Sequence, residues 1–171
     1  FIDASGAFNP AHPAIVADAD NPAQPKTVFG LILAGLERRR AAGIPAFTVM
    51  SCDNIPHNGK VTMNAVAGLA RLISPALANW VIEHVAFPNS MVDRITPRPT
   101  AAVRERVAVA TGVDDPAALM GESFIQWVIE DRFAAGRPAW EKVGVEMVAS
   151  VDPYEEAKIR LLNATHSCIA W

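Results

Sequence analysis

Short apolar, β-prone runs that alternate with helical patterns restrict the fold of this chain more than any other feature. The clearest run is FTVMSC at residues 47–52, and three weaker ones follow at 85–95, 124–129 and 145–149. Helical patterns occupy residues 25–42, 60–73, 75–84 and 100–110. Three or four strands interleaved with helices predict the α/β class, and the continuously apolar first run predicts a buried parallel strand.

The residues that precede this alternation show no sustained period. Residues 1–24 are rich in Asp, Asn, Pro and Ala, which predicts an ordered surface excursion with His12 as a loop residue rather than a ligand. The helix at 25–42 is expected to end at Gly43, because glycine suits the position after a helix C-terminus.

A strong helix start lies near the end of the chain. Asp152 can cap a helix whose first residue is Pro153, and Glu155 stands in the capping-box position. The residues that follow are mostly apolar, so we expect most of this helix to be buried. Its apolar residues are Ala157, Ile159, Leu161, Leu162, Ala164, Cys168, Ile169, Ala170 and Trp171.

Three polar residues interrupt this apolar helix. On a regular α-helix His166 falls about 80° and Asn163 about 140° around the axis from Lys158, within roughly 12 Å along it, so one ligand could contact all three. Burial would disfavour the charged form of the Lys158 amine and leave it able to accept a proton near neutral pH. Taken singly, a snorkelling lysine and two satisfied core polar groups would explain the same residues.

Polar residues also follow the first predicted strand. Asn54 comes just past its carboxyl end, where open α/β sheets bind ligands, although an Asx turn or a helix cap would also use the Asp53-Asn54 pair. An N-G turn at Asn58 is expected to lead into the helix at 60–73. With no third ligand near Cys52 and His57 in sequence, we predict no metal site.

Three segments resemble the mannitol dehydrogenase family, long-chain polyol-specific NAD(P)-dependent dehydrogenases that need no metal. They occur in the family's order as SCDNIPHNGK at 51–60, VAFPNSMVDRITP at 85–97 and KIRLLNATH at 158–166. The resemblance implies a hydride transfer between NAD, or possibly NADP, and a polyol or ketose.

Roles for individual residues also follow from the resemblance. It implies Lys158 as general base, and Asn54, Asn163 and His166 as catalytic residues around the reacting oxygen. Asp93 is expected to bind substrate together with Asn54 and His166, with Arg94 as the structural partner of Asp93. Glu155 would relay protons to solvent, a role compatible with a capping box, and the backbone of Val92 would meet the nicotinamide.

The resemblance covers the middle of the family. No G-x-G-x-x-G motif occurs in this sequence. We therefore expect residues 1–151 to be the second part of a Rossmann-like dinucleotide-binding domain. Residues 152–171 would be the first helix of an all-α substrate domain, and the isolated chain should be inactive.

Charge and composition argue against several classes of binding partner. A net charge of -3 and two cysteines among 171 residues argue against nucleic-acid binding and against a disulfide scaffold. No apolar run is long enough for a membrane span, and a reducing cytoplasm fits best. The sequence leaves the oligomeric state open. It also leaves open whether the substrate pair is mannitol and fructose, which we favour, arabinitol and xylulose, or a sugar acid pair such as fructuronate and mannonate. A non-catalytic folding or interaction module is the alternative from another class.

Overall fold

The computed structural model describes residues 1–3 and 6–169, with Asn163 and His166 described by their backbone alone. Seven helices and three strands are formed within these residues. In chain order they are α1 Pro13–Asp20, α2 Val28–Ala41, α3 Asn58–Ile73, α4 Pro75–His84, β1 Ser90–Asp93, α5 Ala101–Thr111, β2 Gln126–Glu130, β3 Glu146–Val148, α6 Asp152–Ala157 and α7 Ala164–Ile169. A 3-10 turn at Trp140–Val143 precedes β3, and a π-helical turn at Lys158–Asn163 joins α6 to α7.

The main core lies among helices α1 to α4. Helix α3 contributes a buried face at spacings of one, three and four residues, which is the pattern of an amphipathic helix. Each fully buried Leu, Ile or Val side chain stabilises such a core by about 1.5–3 kcal/mol. The fully buried apolar side chains of this core include Ile15, Leu33, Leu36, Val66, Leu69, Leu77 and Val81.

The three strands form one mixed sheet in the order β1-β2-β3. Strand β1 pairs antiparallel with β2, with Val92 opposite Trp127, and β2 pairs parallel with β3. A second core lies on this sheet, where Val151 at the start of α6 packs with Met91 and Val128. This contact anchors α6 beside the end of β1.

Asp18 forms a buried polar contact away from the sheet. Its carboxylate is 1% exposed and accepts hydrogen bonds from Lys26 N (2.7 Å), Thr27 N (2.9 Å) and Thr27 Oγ1 (2.5 Å). Thr27 in turn caps α2 by accepting from Gly30 N. Helix α1 is thereby tied to the first turn of α2.

Most predicted helices agree with the structure. Helix α4 spans the predicted residues, and α2 ends at Ala41 with Gly43 at a φ of 66°. Helix α3 begins two residues earlier than predicted, so Asn58 is its first residue rather than part of a preceding turn. The strands predicted at 124–129 and 145–149 exist at slightly different bounds, whereas the run at 85–95 forms a strand only at Ser90–Asp93.

The structure corrects the predictions for residues 1–24 and 47–52. The first segment contains helix α1, which forms because His12 Nδ1 accepts from Ala14 N and Ile15 is buried. Residues 47–52 form no strand, because no strand in the described part of the chain lies beside them to complete a ladder. Val49 N–H donates instead to Ala86 O at 2.9 Å.

The C-terminal helical segment departs from prediction in two ways. It was expected to be a mostly buried α-helix, yet Leu161 and Ile169 are 67% and 79% exposed because no other described element packs over them. Residues 158–163 form a π-helical turn rather than an α-helical one. Within the described residues, no helix has the length and apolar character that a membrane span requires.

Candidate active site

The side chain of Lys158 lies at the centre of the candidate site. It extends from the first residue of the π-helical turn and is 11% exposed. Its Nζ donates to the carbonyl oxygen of Val92 and, at 3.1 Å, to Oδ1 of Asn54. Asp93 Oδ1 lies 4.0 Å from the same nitrogen. A mostly buried amine thus faces oxygens from β1 and from the loop before α3, as a shared site at this position would require.

Asn54 presents its amide to the site in one orientation. Because Oδ1 accepts from Lys158, Nδ2 is left as a donor for another partner. Asn54 is exposed and stands in the loop that leads into α3. The Asx-turn alternative is not needed to explain its contact, and the predicted meeting of Asn54 with Lys158 is observed.

Asn58 holds this loop against β1, a role that sequence reasoning missed. Its side chain is completely buried, and Nδ2 donates to Asp53 O (3.0 Å) and Ser90 O (2.8 Å) while Oδ1 accepts from Ser90 N (2.9 Å). The Ser90 hydroxyl also donates to Ser51 O at 2.6 Å. Both flanks of Asn54 are therefore fixed to the strand that bears Asp93.

The glycine at position 59 is a sequence feature that could have indicated this contact. A side chain at Gly59 would collide with the backbone oxygens of Phe87 and Pro88, so glycine is required for the start of α3 to approach that segment. The Asn58-Gly59 pair is thus a packing feature, not a free turn.

Asp93 lies beside Lys158, whereas Arg94 is hydrogen-bonded to Glu122. The Asp93 side chain is 13% exposed and lies beside Lys158. Arg94 was expected to pair with Asp93, but in the described structure its Nε donates to Glu122 O at 3.1 Å.

Glu155 is buried one turn before Lys158, but it does not form a capping box. Helix α6 begins at Asp152 with Val151 as its cap and no side-chain capping bond. The carboxylate of Glu155, a residue that is 8% exposed as a whole, instead accepts from the backbone N–H of His57, at 3.3 Å to each oxygen. Glu155 therefore lines the site with its carboxylate held by a neighbouring loop.

His57, Asp152 and Glu155 form a cluster at the outer side of Glu155. Their ligand-type atoms lie within 4.8 Å of one another, a spacing that a cation would tolerate. An imidazole beside two carboxylates makes the same arrangement without an ion, and exposed acidic groups commonly cluster in this way. His57 therefore meets these two residues rather than Cys52.

Two cavities meet at Lys158. The smaller, of about 190 Å³, is lined by Asn54, Val92, Glu155 and Lys158 among others. The larger, of about 520 Å³, adds Asp93 and the apolar surfaces of Ile125 and Trp127. The larger volume lies within the range of small-molecule sites, and Ile125 and Trp127 give it an apolar wall.

Cys52 also lines the larger cavity. Burial raises the pKa of its thiol above the usual value, the Ser90 hydroxyl lowers it by a smaller amount, and the Asp53 carboxylate raises it further. A thiol of raised pKa is protonated at neutral pH and is a poor nucleophile.

The side chains of Asn163 and His166 lie outside the described residues, as do Ala170 and Trp171. The backbone does place position 163 at the end of the π-helical turn and position 166 in α7. The predicted wheel angles assume a regular α-helix and do not apply across that turn.

The sequence matches the family described as the mannitol dehydrogenase Rossmann domain over residues 4–142. The chain belongs to the mannitol dehydrogenase family. This membership confirms the resemblance found in the sequence, and with it the Rossmann-like α/β class.

Relatives within the mannitol dehydrogenase family differ in substrate. Mannitol 2-dehydrogenase of Cereibacter sphaeroides is 58% identical over 171 residues, covering 100% of this chain and 36% of that protein. D-mannonate oxidoreductase of Escherichia coli (strain K12) is 49% identical over 168 residues, covering 98% and 35%. The chain thus spans about a third of the length of the curated relatives it matches.

A solved structure of the mannitol dehydrogenase family aligns closely with this chain. The ternary complex of Pseudomonas fluorescens mannitol 2-dehydrogenase with NAD and D-mannitol has a TM-score of 0.88 and 54% identity, over 96% of this chain and 34% of that one. The boundary at 151 between two domains, and the roles of the individual site residues, stay predictions.

Proposed function

We propose that this chain supplies the catalytic lysine and part of the substrate site of an NAD(P)-dependent polyol dehydrogenase, with D-mannitol and D-fructose as the favoured pair. The observation that carries the proposal is the position of Lys158 Nζ, which contacts Asn54 and Val92 and lies near Asp93 at the junction of two cavities. NAD and mannitol are favoured because they are bound in the Pseudomonas fluorescens complex.

The proposed chemistry needs a base and a group that stabilises the developing alkoxide. Lys158 accepts the proton of the secondary hydroxyl. The free Nδ2 donor of Asn54 stabilises the oxygen as negative charge grows on it, and Asn163 is assigned the same role. When bound, the nicotinamide accepts the hydride from carbon.

The remaining residues are assigned to positioning and proton transfer. The Asp93 carboxylate accepts hydrogen bonds from substrate hydroxyls, and His166 orients the reacting oxygen. Val92 contributes backbone at the nicotinamide end, where its side of the larger cavity is apolar. Glu155 takes up the proton from the smaller cavity that it shares with Lys158.

A sugar acid is the second candidate substrate. D-mannonate oxidoreductase is similar to this chain at 49% identity, and a uronate requires a cation for its carboxylate. Arg94 lines the larger cavity and is exposed, so one guanidinium stands within the site region. We place the enzyme in the cytoplasm, without nucleic-acid or membrane partners, and expect the isolated 171-residue chain to be inactive.

The proposal is tested with Lys158→Ala in the full-length protein that contains this chain. Loss of a general base should lower kcat by about 10²- to 10⁴-fold, with an unchanged far-UV circular dichroism spectrum. Lys142→Ala, which removes an exposed lysine from the 3-10 turn, is the matched control and should keep full turnover. Unchanged turnover in Lys158→Ala would leave the interaction-module alternative in its place. Mannitol and mannonate, each assayed with NAD and NADP, would separate the substrate candidates.

A further inference from the structure

His57 has an unusual backbone at the outer edge of the site. Among the described residues it is the one non-glycine residue with a positive φ, at φ 52° and ψ 41°. A left-handed conformation is costly for a residue with a side chain, and it persists where surrounding contacts require it. Here it directs the His57 N–H at both oxygens of Glu155.

The ring of His57 lies between the buried carboxylate and solvent. Its Nδ1 is 3.8 Å from Glu155 Oε2 and 3.5 Å from Asp152 Oδ1. The His57 side chain is 56% exposed, whereas that of Glu155 is 10% exposed. A titratable group with one side towards the buried acid and the other towards water has the placement of a proton carrier.

We propose that His57 passes the proton from Glu155 to solvent, an inference that rests on the proposed function. The O–H bond of a protonated Glu155 breaks as an N–H bond forms at Nδ1, directly after a small ring rotation or through one water. The imidazolium then releases a proton from Nε2 to solvent water and is neutral as the Nδ1–H tautomer. Loss of the Nδ1 proton to water and uptake of one at Nε2 restore the starting tautomer. No electron is transferred, and reduction of a ketose runs the same transfer in reverse.

The charges around His57 suit this cycle. From α6 it faces the carboxylates of Asp152 and Glu155, which stabilise the transient imidazolium. Two charged residues flank His57 in its own segment: Asp53 precedes it, and Lys60 lies in the first turn of α3. Asp152 is exposed and lies on the solvent side of Glu155, where the proton passes to water.

The test is His57→Gly in the full-length protein. Glycine adopts a positive φ without cost and keeps the N–H that holds Glu155, so only the imidazole is removed. We expect kcat in dilute buffer to fall by about tenfold with KM unchanged, a larger solvent deuterium effect on kcat, and recovery of kcat when imidazole is added. His84→Gln, at an exposed histidine of α4 away from the cavities, is the control and should show none of these changes.

A second variant keeps the proposal falsifiable if His57→Gly folds poorly. Asparagine also tolerates a positive φ, so His57→Asn should show the same loss and the same rescue by imidazole. Wild-type kcat and deuterium effect in the folded variants would overturn the proposal, and so would a loss that imidazole does not restore. If Lys158→Ala is inactive while His57→Gly behaves as wild type, this inference fails and the proposed function stands. If Lys158→Ala keeps full turnover, the proposed function fails first.

Discussion

Two polar side chains, Asp18 and Asn58, are both buried and hydrogen-bonded, but they stabilise different regions of the molecule. They are 1% and 0% exposed, and each is surrounded by hydrogen-bond partners from another segment. The Asp18 carboxylate accepts three hydrogen bonds from residues 26 and 27. The Asn58 amide both donates and accepts, joining Asp53 to Ser90.

The difference lies in what each side chain holds. Asp18 fixes α1 to the first turn of α2, far in sequence from every candidate site residue. Asn58 fixes the loop that contains Asn54 to the strand that contains Asp93. The same chemistry therefore secures stability in one place and the geometry of the candidate site in the other, so the two can be separated by experiment.

The largest expected effect comes from Asn58→Ala. The substitution removes the side-chain hydrogen-bond partner of the Asp53 carbonyl and of both backbone groups of Ser90. This loss should lower the free energy of unfolding by about 4 kcal/mol. Because the loop bearing Asn54 is released, kcat per folded molecule should also fall by at least about tenfold. Urea unfolding and turnover at low temperature measure the two effects.

Asn64→Ala provides the matched control, since Asn64 is exposed on the same helix, and it should change neither quantity. If Asn58→Ala does not fold, Ser90→Ala removes the contacts of the Ser90 hydroxyl with Ser51 O, Asn58 Nδ2 and Cys52 but keeps the Ser90 backbone bonds to Asn58. It should give a smaller loss in both quantities. Full turnover in a destabilised Asn58 variant would mean that this contact, like the one at Asp18, serves stability alone.

Asp18→Asn should affect stability without affecting turnover. Burial raises the pKa of Asp18, but the hydrogen bonds from the Thr27 hydroxyl and from the Lys26 and Thr27 amides outweigh it, so the pKa lies below its ordinary value. Replacing the acceptor should cost about 2 kcal/mol of unfolding free energy at neutral pH. Asp20→Asn, at an exposed position of the same helix, should cost nothing measurable.

The pH dependence of this difference has a definite sign. A carboxyl whose pKa is lowered by folding contributes stability above the unfolded pKa, about 3.9, and loses it as the pH falls through the folded value. The gap between wild type and Asp18→Asn should therefore be constant from pH 5 to 7 and shrink below about pH 4. A gap that grows in acid would show that the carboxylate is not the stabilising form.

The smallest effect is expected at an exposed polar cluster. Arg137 donates to Asp131 at 2.7 and 2.9 Å and to Glu141 at 2.6 Å. The hydrogen bonds from Arg137 lower the pKa of Asp131, with partial opposition from burial. Asp131→Asn should lower Tm by less than Asp18→Asn does, and the effect should diminish in 1 M NaCl because exposed charges are screened. A salt-independent loss would contradict this.

Local patterns predicted most of the helices, because their causes lie within the helix itself. Pro75 and the following apolar spacing define α4, and Gly43 follows the end of α2. The strand at 47–52 was wrong because an apolar run predicts burial, while strand formation depends on a neighbour that sequence does not show. Helix α1 was missed because its cap is a histidine, an uncommon choice at that position.

Part of the candidate site was also accessible from sequence. Lys158, Asn54, Asp93 and Val92 were predicted from motifs, and the structure brings them together. Asn58 was not predicted, because its importance comes from contacts more than thirty residues away along the chain. A pattern of nearby residues cannot reveal such a long-range bond.

The π-helical turn after Ala157 sets the rotation of α7 about the helix axis relative to α6. Its backbone hydrogen bonds span five residues instead of four, so it contains one residue more than an α-helical turn. If the same residues formed a regular α-helix, α7 would be rotated by about 100° relative to α6. Deleting one residue from 159–162 should therefore restore a regular α-helix and leave α7 at nearly its present rotation. The extra residue and the wider turn thus compensate each other, and the π-helical turn lets the chain carry one more residue between positions 158 and 166 at the same helix rotation.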